Sequence, residues 1–379
     1  MTSARLSHPD ERYLRHDSVR DVVFVMGAGT SYADGVPLQK DILPMLLDGG
    51  IQEISESEIG KALKQFIGDN FYVQSATGDY PRLEAVFGFM DYFIQQQESL
   101  SAEYPLERIL DLKENLIKAI HYIVNLKTDM PSSVYHKFWE HIVSINRNVS
   151  FITLNYDTLL EQAFEPFYQS AGYIDYCIHL MNYERASVLK EYQFWTNPRE
   201  PVRIGTDDDP MPFKIIKLHG SLNWKYCNCC NQVLLTTWDR HIDLNRGVFV
   251  GYTRPEREVY DYVCPLDKTG FRTLIMPPSY MKTLRHPIIS RLFCEASLEI
   301  RAARKIIFIG YSLSDADLHI RALLRKNVAP ETEVTVVNRK VSDALRHRYS
   351  ALTGNVQFLH TSFENLVLDG RLLESLLHV

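Results

Sequence analysis

Nowhere in these 379 residues does an apolar run approach the roughly 20 residues that cross a bilayer. The stretch from Met1 to Arg20 is charged and lacks the apolar centre of a secretion signal. Cysteine is scarce: there are 6, with three crowded between Cys227 and Cys230. That is too few for a disulfide scaffold and fits reduced thiols in the cytoplasm. An excess of charge of one sign is also missing, since 41 Lys and Arg against 47 Asp and Glu leave −6. Bulk charge therefore draws the chain neither to nucleic acid nor to an anionic membrane. Internal repeats and low-complexity tracts are absent. Hydrophobic residues at 45% and charged residues at 23% are ordinary globular values, which exclude wholesale disorder. At roughly 150 residues per domain, the length allows two or three units, or one domain carrying insertions.

Short runs rich in Val and Ile mark buried strands, because a parallel strand covered on both faces loses its polar alternation. They fall at Val22–Met26, Val149–Leu154, Lys214–Leu218, Lys305–Ile309, Glu333–Val337 and Val356–Leu359, with a further candidate at Thr273–Met276. Helical patterns separate several of them. Ile289, Leu292, Phe293, Ala296, Ile300 and Ala303 recur at helical spacing before the Lys305 strand, with Cys294 assigned to the same apolar face. The economical result is an α/β fold with a doubly wound, mostly parallel, Rossmann-like sheet. Two excursions interrupt it. Residues 38–146 read as a large helical insertion, with amphipathic stretches at Ile59–Ile67, Leu83–Gln97 and Leu106–Leu126. Residues 173–280 read as a smaller, irregular, Cys-containing module whose acidic run Asp207–Asp209 is a solvated loop.

The strand Asp21–Met26 runs into Gly27-Ala28-Gly29-Thr30-Ser31. Glycines at such a junction let main-chain amides approach a diphosphate, and a helix amino terminus behind them favours negative charge. A plain strand-to-helix turn reads the same way. The dinucleotide fingerprint is not met, since Tyr32 stands where its third glycine belongs, and Gly35-Val36-Pro37 adds a second turn. Four further motifs follow in order: Thr153-Leu154-Asn155-Tyr156-Asp157, Leu218-His219-Gly220-Ser221, Gly310-Tyr311-Ser312-Leu313 and Val337-Asn338.

Together with the first loop, these motifs resemble the ordered motifs of the sirtuin superfamily over nearly the whole chain. The resemblance implies one sirtuin-like NAD-binding catalytic domain over 1–379, with both excursions inside it. Asn155-Tyr156-Asp157, Pro277-Pro278 and Lys282 resemble a divergent bacterial branch that includes effectors of anti-phage systems. The activity implied there is destruction of NAD, and such effectors work as oligomers or with a second protein such as a hexameric HerA-type ATPase. Leu38-Gln39 stand where deacylases carry Phe-Arg, and no acyl-lysine channel motif follows the cysteines. Both departures point away from protein deacylation.

Breaking the nicotinamide–ribose bond passes through an oxocarbenium-like state and releases a neutral leaving group, so no strong acid is needed. An amide side chain can orient ribose hydroxyls or water, and an imidazole can take a proton. Asn155 and His219 supply that pair, each just past a strand where ligands of open α/β sheets gather. Asp157 binds a hydroxyl or orients His219. Gly27, Ala28, Gly29, Thr30 and Ser31 would cradle the diphosphate, with Gly35 and Pro37 also assigned to NAD binding; Gly310 and Ser312 would meet phosphate or ribose, and Asn338 would lie near the adenine-side ribose. The structural alternatives are a helix cap for Asn155 and Asp157, a hydrogen-bonded turn at His219, and a Ser314–Asp317 capping pair for a helix over Leu318–Arg325. An NAD-dependent deacylase, an ADP-ribosyl transferase and a non-catalytic NAD or ADP-ribose sensor are the rival functions.

Cys227 and Cys230 form one Cys-x-x-Cys turn, while Cys264 is followed by Asp267 where a fourth thiolate belongs. Many sirtuins carry a zinc ribbon here. Three thiolates and a carboxylate suit a structural zinc, and a decayed ribbon packed as a loop is the alternative. Pro81–Phe87 resembles a helix of the divergent branch; its pattern reads as an amphipathic core helix with Leu83, Val86, Phe87 and Met90 on the buried face, Glu84 toward the pocket being the alternative. The terminal helix Phe363–Val379 has an apolar end, Leu372, Leu373, Leu376 and Leu377, that docks on its own domain or mediates self-association.

Overall fold

Val22, Val23 and Phe24 are inaccessible to solvent, and the strand that holds them, Arg20–Met26, lies at the heart of an eight-stranded sheet. The sheet runs Val356–Leu359, Glu333–Val337, Ala303–Ile309, Arg20–Met26, Val149–Thr153, Met211–Lys217, Gly172–Asp175 and Trp195–Thr196, in that spatial order. Every neighbouring pair is parallel. The computed structural model describes residues 12–13, 17–128, 130–168, 170–181, 195–196, 203–204, 210–235, 241–252, 259–280, 282, 284 and 286–379. The run Asp207–Asp209 falls outside them.

Burial on both faces explains the unbroken apolar runs. On one face Phe24 and Phe151 stack at 5.6 Å and meet Phe138 of helix Ser133–Ile145, which Phe363 covers in turn. On the other face helix Pro287–Ala302 packs on strands Arg20–Met26, Met211–Lys217 and Ala303–Ile309. The chain departs from the central strand in both directions, and the strand ends are in register: Ile309, Met26, Thr153 and Lys217 lie side by side. Such a reversal of strand order opens a crevice beyond the carboxyl ends.

Helices fill the excursion between the Arg20–Met26 and Val149–Thr153 strands, chiefly Gln39–Leu47, Glu58–Asn70, Leu83–Gln96, Leu106–Asn125 and Ser133–Ile145. Ser57 caps one of them by accepting from the Gly60 amide. The second excursion is more regular than its sequence suggests. Gly172–Asp175, Trp195–Thr196 and Met211–Lys217 join the main sheet. Gly220–Tyr226 then pairs antiparallel with Arg272–Ile275 and Val233–Leu235, and a second three-stranded sheet joins His241–Asp243, Val248–Tyr252 and Val259–Asp261. The candidate strand at Thr273–Met276 therefore exists, shifted by one residue, but outside the main sheet.

Two expectations are corrected. Cys294 is exposed, on the opposite side of its helix from Leu292, Ala296 and Ile300. The terminal helix is two, Phe363–Leu368 and Arg371–Leu377, separated at Gly370 with φ +48°. Leu373, Leu376 and Leu377 are buried, and both helices pack on Ser133–Ile145. No described helix is long and apolar enough to cross a membrane.

Candidate functional site

Because the parallel strands end together, the segments that follow them converge. A cavity of about 410 Å³ lies there, and its wall includes Gly27, Ala28, Gly29 and Pro37 from the first strand end. Asn155 and Asp157 come from the second, His219 from the third, Gly310 and Ser312 from the fourth, and Asn338 from the fifth. Leu83, Ile120 and Val124 of the helical excursion close the apolar side. Thr30 and Ser31 are fully buried behind the loop, and Gly35 is exposed outside the lining.

The loop itself is built differently from a phosphate-binding helix start. Only one 3₁₀ turn, Ala28–Thr30, follows the strand, and the first α-helix begins at Gln39. The Gly27 and Gly29 amides donate to the Ile309 and Gly310 carbonyls at 3.0 Å, and the Thr30 and Ser31 amides close the turn onto Gly27 and Ala28. Glycine is required by this crossing. A Cβ on Gly29 would lie 2.7 Å from the Gly310 Cα, and Gly310 has φ +61°. The glycines thus let two strand-end turns touch, and of the amides expected to meet a diphosphate those of Gly27, Gly29, Thr30 and Ser31 are engaged within the protein.

Asn155 does not cap a helix. Its Nδ2 lies 3.0 Å from Thr30 Oγ1, 3.2 Å from Ser31 Oγ and 3.2 Å from the Gly27 carbonyl, tying the amide to the loop. Tyr135 completes this network: its hydroxyl lies 2.8 Å from Thr30 Oγ1 and 3.1 Å from Ser31 Oγ. Asp157 accepts from the Leu159 amide at 3.2 Å and bonds Ser31. Burial raises its carboxyl above the usual range, against the opposing influence of the Lys217 charge and these hydrogen bonds.

A different carboxylate serves His219. Asp317 Oδ1 lies 3.9 Å from His219 Nε2 and 2.8 Å from Lys282 Nζ, while its Oδ2 accepts from the Tyr311 hydroxyl at 3.0 Å. Asp317 stands at the start of helix Leu318–Asn327 without a side-chain cap bond, so the expected Ser314–Asp317 capping pair does not form. His319 Nε2 is 3.0 Å from His219 Nε2. Burial first, then the neighbouring Lys282 charge, pushes His219 well below the ordinary imidazole value, with Asp317 opposing. His319 is pushed down to about 4 for the same reasons. His219 is therefore neutral at physiological pH, with a lone pair able to accept a proton.

His219, Asp317 and His319 bring three donor atoms within 4.8 Å, a set that resembles a metal site. The Lys282 ammonium already occupies the cation's place beside Asp317. Sequence reasoning missed Asp317, His319 and Tyr135 as site residues, because a helix-start Asp, a helix His and a core Tyr carry no distinguishing spacing.

In the small module, Cys227, Cys230, Cys264 and Asp267 also lie within 4.8 Å of one another. Cys230 and Cys264 are 3.8 Å apart at sulfur, and Cys227 Sγ is 3.3 Å from Asp267 Oδ2. Zn–S bonds of about 2.3 Å make the edge of a tetrahedron roughly 3.8 Å, so the donor set fits zinc. Matching turns present it: Asn231 and Lys268, at φ +57° and +65°, donate to the Cys227 and Cys264 carbonyls. Cys229 is exposed, outside the set.

The fold and these strand-end motifs define a Rossmann-like protein with its ligand crevice at the topological switch. The family model described as a SIR2-like domain matches residues 149–351, over half of the chain. The chain belongs to this family, within the sirtuin superfamily. Among solved structures it is similar to a Sir2 homologue–NAD complex (TM-score 0.43, 13% identity, 94% of this chain and 91% of the other). It is also similar to Sir2Tm bound to a propionylated peptide (TM-score 0.42, 13% identity, 94% and 93%). No curated protein matches the sequence significantly.

Proposed function

We propose that the chain is a sirtuin-like NAD hydrolase that cleaves the nicotinamide–ribose bond and releases nicotinamide and ADP-ribose. The reading is carried by one observation: Asn155, His219, the glycine loop, Ser312 and Asn338 line a single cavity. In the reaction the C1′–N bond breaks, its electron pair leaves with neutral nicotinamide, and a water oxygen bonds C1′. His219, neutral at rest, accepts the water's proton. Asn155, anchored to Thr30 and Ser31, keeps the ribose-facing wall in register with the loop. Gly310 and Ser312 face phosphate or ribose, and Asn338 the adenosine end. We infer that this activity belongs to a triggered, cytoplasmic bacterial anti-phage effector, acting as a homo-oligomer or with a protein such as a HerA-type ATPase.

The test is incubation of purified protein with NAD and no peptide, following products by chromatography. Equal release of nicotinamide and ADP-ribose is expected, falling at least 100-fold in Asn155→Ala and His219→Ala with unchanged circular dichroism. Turnover that needs an acylated peptide would replace hydrolysis with deacylation. Variants as active as the parent would remove both residues from the chemistry.

A further inference from the structure

The two imidazoles His219 and His319 meet Nε2 to Nε2 at 3.0 Å, their rings tilted by 31°. Two bare lone pairs at that distance repel, and two N–H groups collide, so the contact requires one proton between the two nitrogens. We propose that His319 is a positioning residue for His219: through that single shared proton it holds the orientation of a ring whose other nitrogen is tied to the Leu154 carbonyl. The proposal rests on His219 being the base of the hydrolase.

The surroundings fit that role from each side. Lys282 is 5% exposed and 2.8 Å from Asp317, so its positive charge acts on both rings with little screening. Asp317 stands 3.9 Å from His219 Nε2 and is fixed in turn by the Tyr311 hydroxyl. The aromatic rings of Tyr156, 6.3 Å from His219, and Phe293, 5.7 Å from His319, flank the pair and supply no charge. Burial disfavours the doubly protonated pair and Lys282 adds to that, with Asp317 opposing. Helix Leu318–Asn327 delivers His319 from two residues beyond Asp317, so one turn presents both partners.

The experiment combines ring-nitrogen NMR of ¹⁵N-histidine protein with NAD kinetics. In the parent, His219 is expected as one neutral tautomer well below pH 6.5. His319→Ala should shift and broaden the His219 Nε2 signal as the ring loses that partner, and kcat should fall about 10-fold with KM within twofold. His319→Gln, whose amide can still bond Nε2, should restore the parent Nε2 signal and most of kcat. Lys282→Met should raise the pH at which the pair takes a second proton, moving the acid limb of the kcat profile upward. An unchanged His219 spectrum in His319→Ala overturns the proposal. The ring-nitrogen spectra decide the pair whether or not the purified parent cleaves NAD, so failure of the pair is told apart from failure of the hydrolase reading.

Discussion

Gly310 supports the site through a missing side chain. Its φ of +61° and a Cβ position 2.7 Å from Gly29 make Gly310→Ala strained on both counts. A loss of about 1–3 kcal/mol is expected, read as a lowered Tm, together with weaker NAD binding by calorimetry. The histidine pair has its own signature. With folded values lowered below 6.5, to about 4 for His319, the unfolded chain binds more protons between those limits. The pair's contribution to stability is thus complete above pH 6.5 and declines as pH falls toward 4. Replacing His319 by Gln should flatten the fall in Tm across that window. Asn155 and His219 were legible as candidates because each stands just past an apolar strand within the ordered set of motifs. Asp317 was read as a cap, since the proximity of Lys282 and His219 is invisible along the chain.

At the scale of elements, the helix Pro287–Ala302 is fastened to the sheet by ions as well as by Ile289, Leu292 and Ile300. Glu299 bonds Arg20 Nε and Lys214 Nζ, both at 2.9 Å, with Arg20 only 1% exposed. Burial alone would raise the Glu299 carboxyl, but Arg20 and Lys214 hold it below its usual value. That lowered value means the stabilisation is present at neutral pH and is lost as pH falls through it. Glu299→Ala leaves buried Arg20 without a carboxylate, while Lys214 keeps Glu295 at 3.3 Å, and about 3 kcal/mol should be lost in urea unfolding. Glu333–Val337 and Val356–Leu359 coincide with their apolar runs. Strands Gly172–Asp175 and Trp195–Thr196 do not announce themselves, being short and stabilised by pairing more than by pattern, the second of them at the edge of the sheet.

Over the whole molecule, the helical excursion and the small module flank a second cleft of about 930 Å³, and Lys282 lines both it and the histidine cavity. The small module's geometry predicts one zinc per chain in protein purified without chelator, measured by plasma emission, and a lowered Tm for Cys230→Ser. Metal content unchanged in that variant would place any zinc elsewhere. By itself the sequence determined the α/β class, the order of the five motifs and the strands that carry them, because apolar periodicity and glycine punctuation are local properties. Only the tertiary structure decided which groups meet. Parallel strands ending in register gather residues from 27 to 338 around one cavity. The same convergence engages the loop amides with Ile309 and Gly310, and it gives His219 the partners Asp317 and His319 in place of Asp157. Spacing along a chain carries no record of such contacts, since they arise between segments joined only by the sheet.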